Sequence, residues 1–298
     1  GLIRRAMMAL VYGDLLMRVT LRVRPYERFA GSANALCERW SARCRRSLRR
    51  ASPAEFRSNL RAIVADFDQL ETVHAKKPRV GVVGEVLVKF HPLANNNIVD
   101  VLEAEGAEAV VPDLMDMLLY SCWNSNYKAR YMAGKLVNKW AANLAIWYME
   151  RLRRGMVRAL AHSRRFEAPK PIRELAELAS EVTSLGVHTG EGWLLTAEML
   201  ELIKGGVCNI ACLQPFACLP NHITGKGVIK ELRRLHPEAN ITAIDYDPGA
   251  SEVNQLNRLK LMLAVAFERL QDNPATGAGE AAAPAGLDLE GLPAKRGG

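Results

Sequence analysis

Residues 209–226 read NIACLQPFACLPNHITGK, and this stretch decides the fold that the sequence predicts. An apolar run predicts a buried strand over Val207–Leu213, which ends in a loop before a helix. Open α/β sheets usually bind ligands and carry out chemistry where a strand ends and a helix begins. We predict the functional site in this segment, at its two thiols and at three of its polar side chains: Cys212, Gln214, Cys218, Asn221 and His222.

Two further β-branched segments support a parallel sheet. Residues 79–88, RVGVVGEVLV, are continuously apolar after the first residue except for Glu85, as expected of a strand buried on both faces. We predict a polar loop over Lys89–Asn97 after this strand, then a helix over Ile98–Glu105 and a second strand over Glu108–Pro112. This order is a βαβ unit, which favours parallel pairing. A last strand is predicted over Asn240–Asp245, followed by an amphipathic helix.

Helical periodicity accounts for most of the remaining chain. Three helices are predicted before Lys77, and the third begins at Ser52, a good capping residue followed by Pro53. The Ala-, Gly- and Pro-rich end cannot build a core and is predicted to be disordered. The fold class is therefore α/β, a flavodoxin-like parallel sheet lobe with an N-terminal helical block and a long helical insertion. The predicted divisions are a helical block over 1–77, an α/β lobe over 78–271 with its insertion at 126–183, and a tail over 272–298.

The charge of the chain is uneven. The net charge is +8, yet residues 1–50 hold 12 Arg against Asp14, Glu27 and Glu38, a local net charge of +9. Such a basic segment can bind nucleic acid or an anionic surface. It can also be a solvated helical face or dock on an acidic partner. We favour a solvated face or an acidic partner, because the Arg residues lack the interleaved aromatic side chains of a nucleic-acid platform.

Composition also indicates the compartment. Six cysteines in 298 residues do not make a small disulfide scaffold. Residues 1–17 are interrupted by Arg4, Arg5 and Asp14, so they are neither a signal peptide nor a membrane span. We expect a reducing cytoplasm, thiols available for metal, and no membrane partner. Because Gly1 replaces an initiator Met and residues 1–17 resemble the inside of a helix, we expect a piece of a longer protein.

The cysteines of the central stretch differ in their suitability for metal. On a strand, the step from Cys208 to Cys212 spans roughly 13 Å, too far for one small metal site. Cys208 is therefore predicted to be a core thiol, while Cys212 is left equally open between packing and function. Cys218 lies in the loop ahead of a helix, whose dipole and free amides favour thiolate. We predict Cys218 as a metal ligand, with Cys212 as the candidate second one.

Polar residues at the other predicted strand ends complete the candidate site. Lys89, His91 and Asn95 follow the first strand and suit an anionic or amide-bearing ligand, although capping by Asn is an equal alternative. Glu191 lies in the turn TGEG, residues 189–192, where backbone can approach a ligand closely. The sequence contains none of three common motifs: the G-x-x-x-x-G-K-[ST] phosphate loop, a G-x-G-x-x-G after a strand, and H-E-x-x-H.

Several motifs together resemble those of a known family. They are GVVGEVLVKFHP (81–92), GEGWLL (190–195), LQPFACLPNH (213–222) and IDYDPGASEVNQLNR (244–258). Over roughly residues 1–270 the chain resembles the 2-hydroxyacyl-CoA dehydratase superfamily. More closely, it is similar to the C-terminal catalytic-component-like region of the large acyl-CoA dehydratase activase-related proteins.

The resemblance implies flavodoxin-like lobes that hold a [4Fe–4S] cluster. In such dehydratases an ATP-dependent activator injects one electron, and the cluster-bearing component reduces an acyl-CoA thioester to a ketyl radical that loses an unactivated hydroxyl group. The family's loop cysteine maps onto Cys218. The remaining ligands belong largely to a preceding lobe, and the activator domain lies upstream in the fused relatives.

We therefore expect an iron–sulfur protein for low-potential electron transfer and for radical dehydration or reduction of an acyl-CoA-like substrate. It would act as a lyase-type component if it is catalytic. The expected partner is an ATP-dependent activator domain or subunit, within a homo- or hetero-oligomer. The alternative is a non-catalytic scaffold or regulatory domain that docks an activator through its basic N-terminal helices. The assigned residues are Glu191, Asn221 and His222 as catalytic groups, Lys89, His91 and Asn95 as cofactor-binding groups, and Cys218 and Cys212 as metal ligands.

Overall fold

The structure, a computed structural model, describes residues 1–272 apart from 248 and 250. Its strands form one parallel sheet in the order β2-β1-β3-β4, the order in which a flavodoxin-like sheet begins. The predicted α/β class is confirmed. The predicted disordered tail, beyond Asp272, lies outside the described residues. The strands are β1 (Arg79–Gly84), β2 (Glu108–Val110), β3 (Asn209–Pro215) and β4 (Asn240–Tyr246).

Helices make up most of the described chain and cover both faces of the sheet. The predicted helical block and the helical insertion between β2 and β3 are both present. The helices are α1 (Leu2–Val23), α2 (Ser32–Arg50), α3 (Pro53–Asp68), α4 (Val86–Phe90), α5 (Ile98–Ala104), α6 (Leu114–Tyr131), α7 (Leu136–Ala161), α8 (Ile172–Ala179), α9 (Gly192–Lys204), α10 (Leu219–Thr224), α11 (Ile229–Leu235) and α12 (Glu252–Asp272).

The two central strands are buried on both faces. On one face, Val82 and Leu213 pack with side chains of α5 and α12. On the other face, Val83 and Ile210 pack with side chains of α9 and α11. A fully buried aliphatic side chain contributes about 1.5–3 kcal/mol to stability, which is why these strands read as continuous apolar runs.

A third core lies between helices alone. It combines side chains of α1, α2, α3, α6, α7 and α8 with the start of α9, including Leu15, Leu60, Met156 and Trp193. The helices of the N-terminal block thus pack against those of the insertion. The division of the chain between residues 77 and 78 stays a prediction. None of the helices among the described residues is both long enough and apolar enough to cross a membrane.

The first strand ends earlier than predicted. We predicted a strand over residues 79–88, but β1 stops at Gly84 and α4 begins at Val86. Gly84 has φ +138°, and a Cβ there would lie 1.9 Å from the carbonyl oxygen of Leu213. The Glu85 carboxylate accepts a hydrogen bond from Val88 N at 2.8 Å, which caps the new helix. The predicted loop position of Lys89 is therefore wrong, since Lys89 lies in α4.

Candidate functional site

The candidate site lies at the carboxyl ends of β1 and β3. From β1 the sheet extends to β2 on one side and to β3 on the other. The connection after β1 places α5 on one face, and the connection before β3 places α9 on the opposite face. At such a switch point the two connections part, and open α/β sheets usually bind ligands in the crevice there. We use the word crevice for this edge of the sheet.

Two of the predicted catalytic residues meet at this crevice. The carboxylate of Glu191, only 7% exposed, accepts a hydrogen bond from Val86 N at 3.1 Å. Its second oxygen accepts one from the side-chain amide of Asn221 at 2.9 Å, and the Asn221 oxygen accepts one from Glu85 N at 3.1 Å. This amide orientation is the one that satisfies both groups. Glu191 and Asn221 thus join the end of β1 to α9 and α10.

Cys218 lies at the entrance of α10 and is partly buried. Its N–H donates to the Pro215 carbonyl at 3.2 Å, and its own carbonyl accepts from the His222 N–H at 3.0 Å. The same carbonyl lies 2.9 Å from His222 Nδ1. Since a carbonyl can only accept, Nδ1 carries a proton, and in the neutral ring the lone pair lies on Nε2. The preceding Ala217 has φ +58°, a strained conformation for a residue with a side chain.

Cys212 lies in a different environment from Cys218. It is fully buried between the sheet and α9, and its Sγ lies 3.0 Å from the position that a Cβ would take at Gly225. Burial, with smaller effects of Glu198 and Asp245, raises the pKa of its thiol to about 12. At neutral pH the group is a protonated thiol, which favours the packing role that the sequence had left open.

The predicted cofactor-binding residues are largely engaged by the fold. Lys89 is buried, and its Nζ donates to Glu198 Oε1 at 2.8 Å. The Asn95 amide donates to Val88 O at 2.7 Å and its oxygen accepts from Ile98 N at 3.2 Å, so Asn95 closes a turn. His91 alone of the three is exposed.

Sequence reasoning missed Glu198. This carboxylate lies seven residues after Glu191, in the otherwise apolar face of α9. Burial raises its pKa, and the Lys89 ammonium acts in the opposite direction. The two acids within the otherwise largely apolar run GWLLTAEMLELI, Glu198 and Glu201, were the available signal, because a buried carboxylate needs a cationic partner.

Gln214 brings a further buried polar group to the same edge. Its side chain is fully buried, and Nε2 donates to Asp245 Oδ1 at 2.6 Å. Its Oε1 has no hydrogen-bond partner among the described residues. Buried polar atoms are nearly always paired, so this oxygen has capacity for a ligand or water hydrogen.

Exposed apolar side chains follow β1 and β3 at this edge of the sheet. Leu93 is 82% exposed and Phe216 is 72% exposed, and both lie at the same edge as Cys218. Apolar surface beside a few convergent polar groups is typical of a small-molecule site. The exposed apolar residues at this edge are Leu87, Leu93, Phe216, Leu219 and Ile223.

The thiols do not form a complete metal site. A [4Fe–4S] cluster is held by four cysteine thiolates. Among residues 1–272 without 248 and 250, no three His, Cys, Asp or Glu side chains are grouped to hold a metal. The crevice offers the one partly accessible thiol of Cys218, so the described residues do not fit a whole cluster by themselves.

Comparison of the chain with protein-family models, with curated proteins and with solved structures gave no significant match. The resemblance to the dehydratase superfamily therefore rests on the sequence motifs alone, and the function that it implies is a proposal.

Proposed function

We propose that this chain is the α/β lobe of a 2-hydroxyacyl-CoA dehydratase-type iron–sulfur system. Its crevice would bind an acyl-CoA-like thioester, and Cys218 would supply one thiolate to a [4Fe–4S] cluster completed by ligands from elsewhere. The observation that carries the proposal is the position of Cys218, partly buried at the switch point and beside exposed apolar side chains.

The hydrogen bonds at the crevice support distinct roles for the predicted catalytic residues. Both oxygens of Glu191 are occupied by N–H donors, so Glu191 and Asn221 position α4 and α10 rather than exchange protons. His222 contacts the Cys218 carbonyl through Nδ1, and its neutral ring keeps the lone pair of Nε2 as a proton acceptor. The apolar rim, with Phe216 and Leu219, suits the aliphatic part of a thioester substrate.

We also propose that the chain binds a protein partner, such as an ATP-dependent activator. One face of α7 supports it, since Trp140 is 74% exposed and Leu144 is 65% exposed. Exposed patches that combine Trp with apolar side chains are typical of protein interfaces. Lys135 and Lys139 adjoin this face, so a second copy of the chain would bring like charges together, and an acidic partner fits better. The exposed apolar residues of this face are Leu136, Val137, Trp140, Leu144 and Trp147.

A designed pair of helical peptides tests this face. The two peptides share one apolar face, and one carries flanking Glu residues while the other carries flanking Lys. We expect quenching or a shift of tryptophan fluorescence with the acidic peptide only, and loss of the response in Trp140→Ser. An equal response to both peptides would remove the charge argument.

Anaerobic reconstitution tests the cluster. The full chain is incubated with iron, sulfide and an external thiol that can complete the ligand set, and iron content and visible absorbance are measured. We expect bound iron in the wild type and in Cys212→Ala but not in Cys218→Ala. Retention of the same iron in Cys218→Ala would rule out Cys218 as a ligand.

The scaffold alternative is favoured by the surface of α2. Its exposed Arg side chains form no ion pair among the described residues, which leaves a basic face available to an acidic partner. Absence of iron from the wild type and from both variants would favour this alternative. The residues concerned are Arg39, Arg43, Arg45, Arg46, Arg49 and Arg50.

A further inference from the structure

A basic groove lies away from the Cys218 crevice, between α3 and the end of α7. One part has a volume of about 480 Å³, and an adjoining part of about 530 Å³ extends along residues 72–75. Asp68, His162 and Ser163 line both parts, so the two are continuous. Arg22 lines the second part and pairs with Glu108 at the start of β2, which places the groove near the amino ends of the strands.

Four of the guanidinium groups in this groove are not neutralised by the protein. Arg57 and Arg61 on α3, Arg158 on α7 and Arg164 after it are exposed, and their side chains form no ion pair or hydrogen bond among the described residues. The carboxylate that lines the groove is Asp68, and it already accepts a hydrogen bond from Ser163 Oγ at 2.8 Å.

A fifth guanidinium adds to the positive field. Arg165 is partly buried in the wall of the groove, and it donates to the carbonyls of Phe67 and Leu70 and to the Thr72 hydroxyl. Burial lowers its pKa, the more distant Asp68 raises it, and the charge of Arg22 lowers it further. A partly buried cation without a paired carboxylate favours an anion nearby.

Helix packing builds the groove from two regular faces. Arg57 and Arg61 are four residues apart on α3, as are Arg158 on α7 and His162 directly after it, so each pair lies on one face. Gly155 lets the helices approach, since a Cβ there would lie 3.0 Å from Leu60 Cδ1 and 3.8 Å from Arg57 Cγ. The four side chains therefore line one groove rather than a broad surface.

We propose that this basic groove binds a small molecule that carries at least two linked phosphate groups. Guanidinium groups match phosphate oxygens with paired hydrogen bonds, and several guanidinium groups around one concave groove can bind a short phosphate chain. Nucleic acid fits less well, because its single strands need exposed aromatic platforms. The aromatic residue in the groove wall, Tyr26, is 7% exposed and its hydroxyl donates to Glu108. This inference is independent of the function proposed above.

Inorganic tripolyphosphate is the probe, measured by titration calorimetry with the full chain at low salt. We expect saturable binding of one molecule per chain. In Arg61→Gln/Arg158→Gln the affinity should fall by about tenfold or more, because two charge-assisted contacts are lost. The matched control is Arg45→Gln/Arg46→Gln on α2, which removes the same charge outside the groove and should change the affinity by less than about twofold.

Three results would overturn the proposal. They are no saturable binding by the wild type, an equal loss of affinity in the α2 control, and tighter binding of a single-stranded oligonucleotide that competes with tripolyphosphate. The second would indicate diffuse charge, and the third a nucleic-acid surface. Circular dichroism and thermal unfolding of both double variants verify that they fold, which is expected because all four side chains are exposed.

Discussion

The Glu191 carboxylate accepts a hydrogen bond from the Asn221 side chain at 2.9 Å, and this contact joins α9 to α10 at the end of β1. Because the other Glu191 oxygen accepts from Val86 N, three segments distant in sequence meet on one buried side chain. The crevice is thus held by a carboxylate whose hydrogen-bonding capacity is used within the fold. Its substitution should act on stability as well as on ligand binding.

Glu191→Gln should destabilise the protein. The new NH2 group would face either Val86 N or the Asn221 amide nitrogen, and if Asn221 turned over, its own NH2 would face Glu85 N. A buried donor would be left unpaired in each arrangement, at a cost of about 1–3 kcal/mol. Urea denaturation measures the free energy of unfolding. The control is Glu181→Gln, which removes an exposed ion pair with Lys204 and should cost less than about 1 kcal/mol. Equal effects of the two substitutions would contradict the buried contact.

Gly84→Ala should prevent normal packing of the sheet. A Cβ at Gly84 would lie 1.9 Å from the Leu213 carbonyl oxygen, and φ +138° is strained for any residue with a side chain. We expect a loss of more than about 4 kcal/mol or no folded protein. The control is Gly13→Ala within α1, where a Cβ meets nothing within 4 Å. That change should raise stability by about 0.5–1 kcal/mol, since Ala is the better helix former. Soluble yield and thermal unfolding compare the two, and wild-type stability of the Gly84 variant is the result that contradicts the packing.

The same glycine explains what could be predicted of the fold and what could not. Continuous apolar runs revealed β1 and β3, because strands buried on both faces need apolar side chains throughout. The same composition continues through Val86 and Val88, which are helical. Period alone does not separate a short buried helix from a strand. Whether residues 86–88 form a strand or a helix depends on two features. The Gly84 backbone lies against β3, and the Glu85 side chain caps the helix that follows it.

The residues of the candidate site could be predicted from the sequence, but the contacts between them could not. Glu191 and Asn221 were both chosen from the sequence, yet their hydrogen bond depends on how α9 and α10 meet. Lys89 was predicted in a loop for a ligand, and its charge is instead paired with Glu198. No local pattern links two residues that are 109 positions apart.

Glu201→Gln should reduce the loss of stability between pH 5 and pH 8. Burial, together with the charge of Asp116, raises the pKa of Glu201 from 4.5 to about 7, although Arg18 and the Lys170 N–H act in the opposite direction. A raised folded-state pKa gives stability that is complete below the unfolded value and is lost as the pH rises through the folded value. The wild type should lose about 2–3 kcal/mol from this group over that interval.

The measurement is urea denaturation of Glu201→Gln and the wild type at several pH values. The variant should gain stability relative to the wild type as the pH rises, because the amide does not ionise and can still accept from Lys170 N. The control is Glu177→Gln, an exposed partner of Arg173, which should follow the wild-type slope. Parallel curves for Glu201→Gln and the wild type would mean that Glu201 is not protonated in the folded state.

Alkylation of the native protein should separate Cys218 from Cys212. Burial raises the pKa of Cys212 and of Cys44 to about 12, so both remain protonated and shielded at pH 8, while Cys218 is partly exposed. With iodoacetamide and mass spectrometry of peptides, Cys218 should react at least about tenfold faster than either buried thiol, because the thiolate is the reacting form. All three should react at similar rates in urea, which controls for differences in detection. Fast native reaction of Cys212 would show that it is accessible, and its role as the second ligand would then regain support over packing.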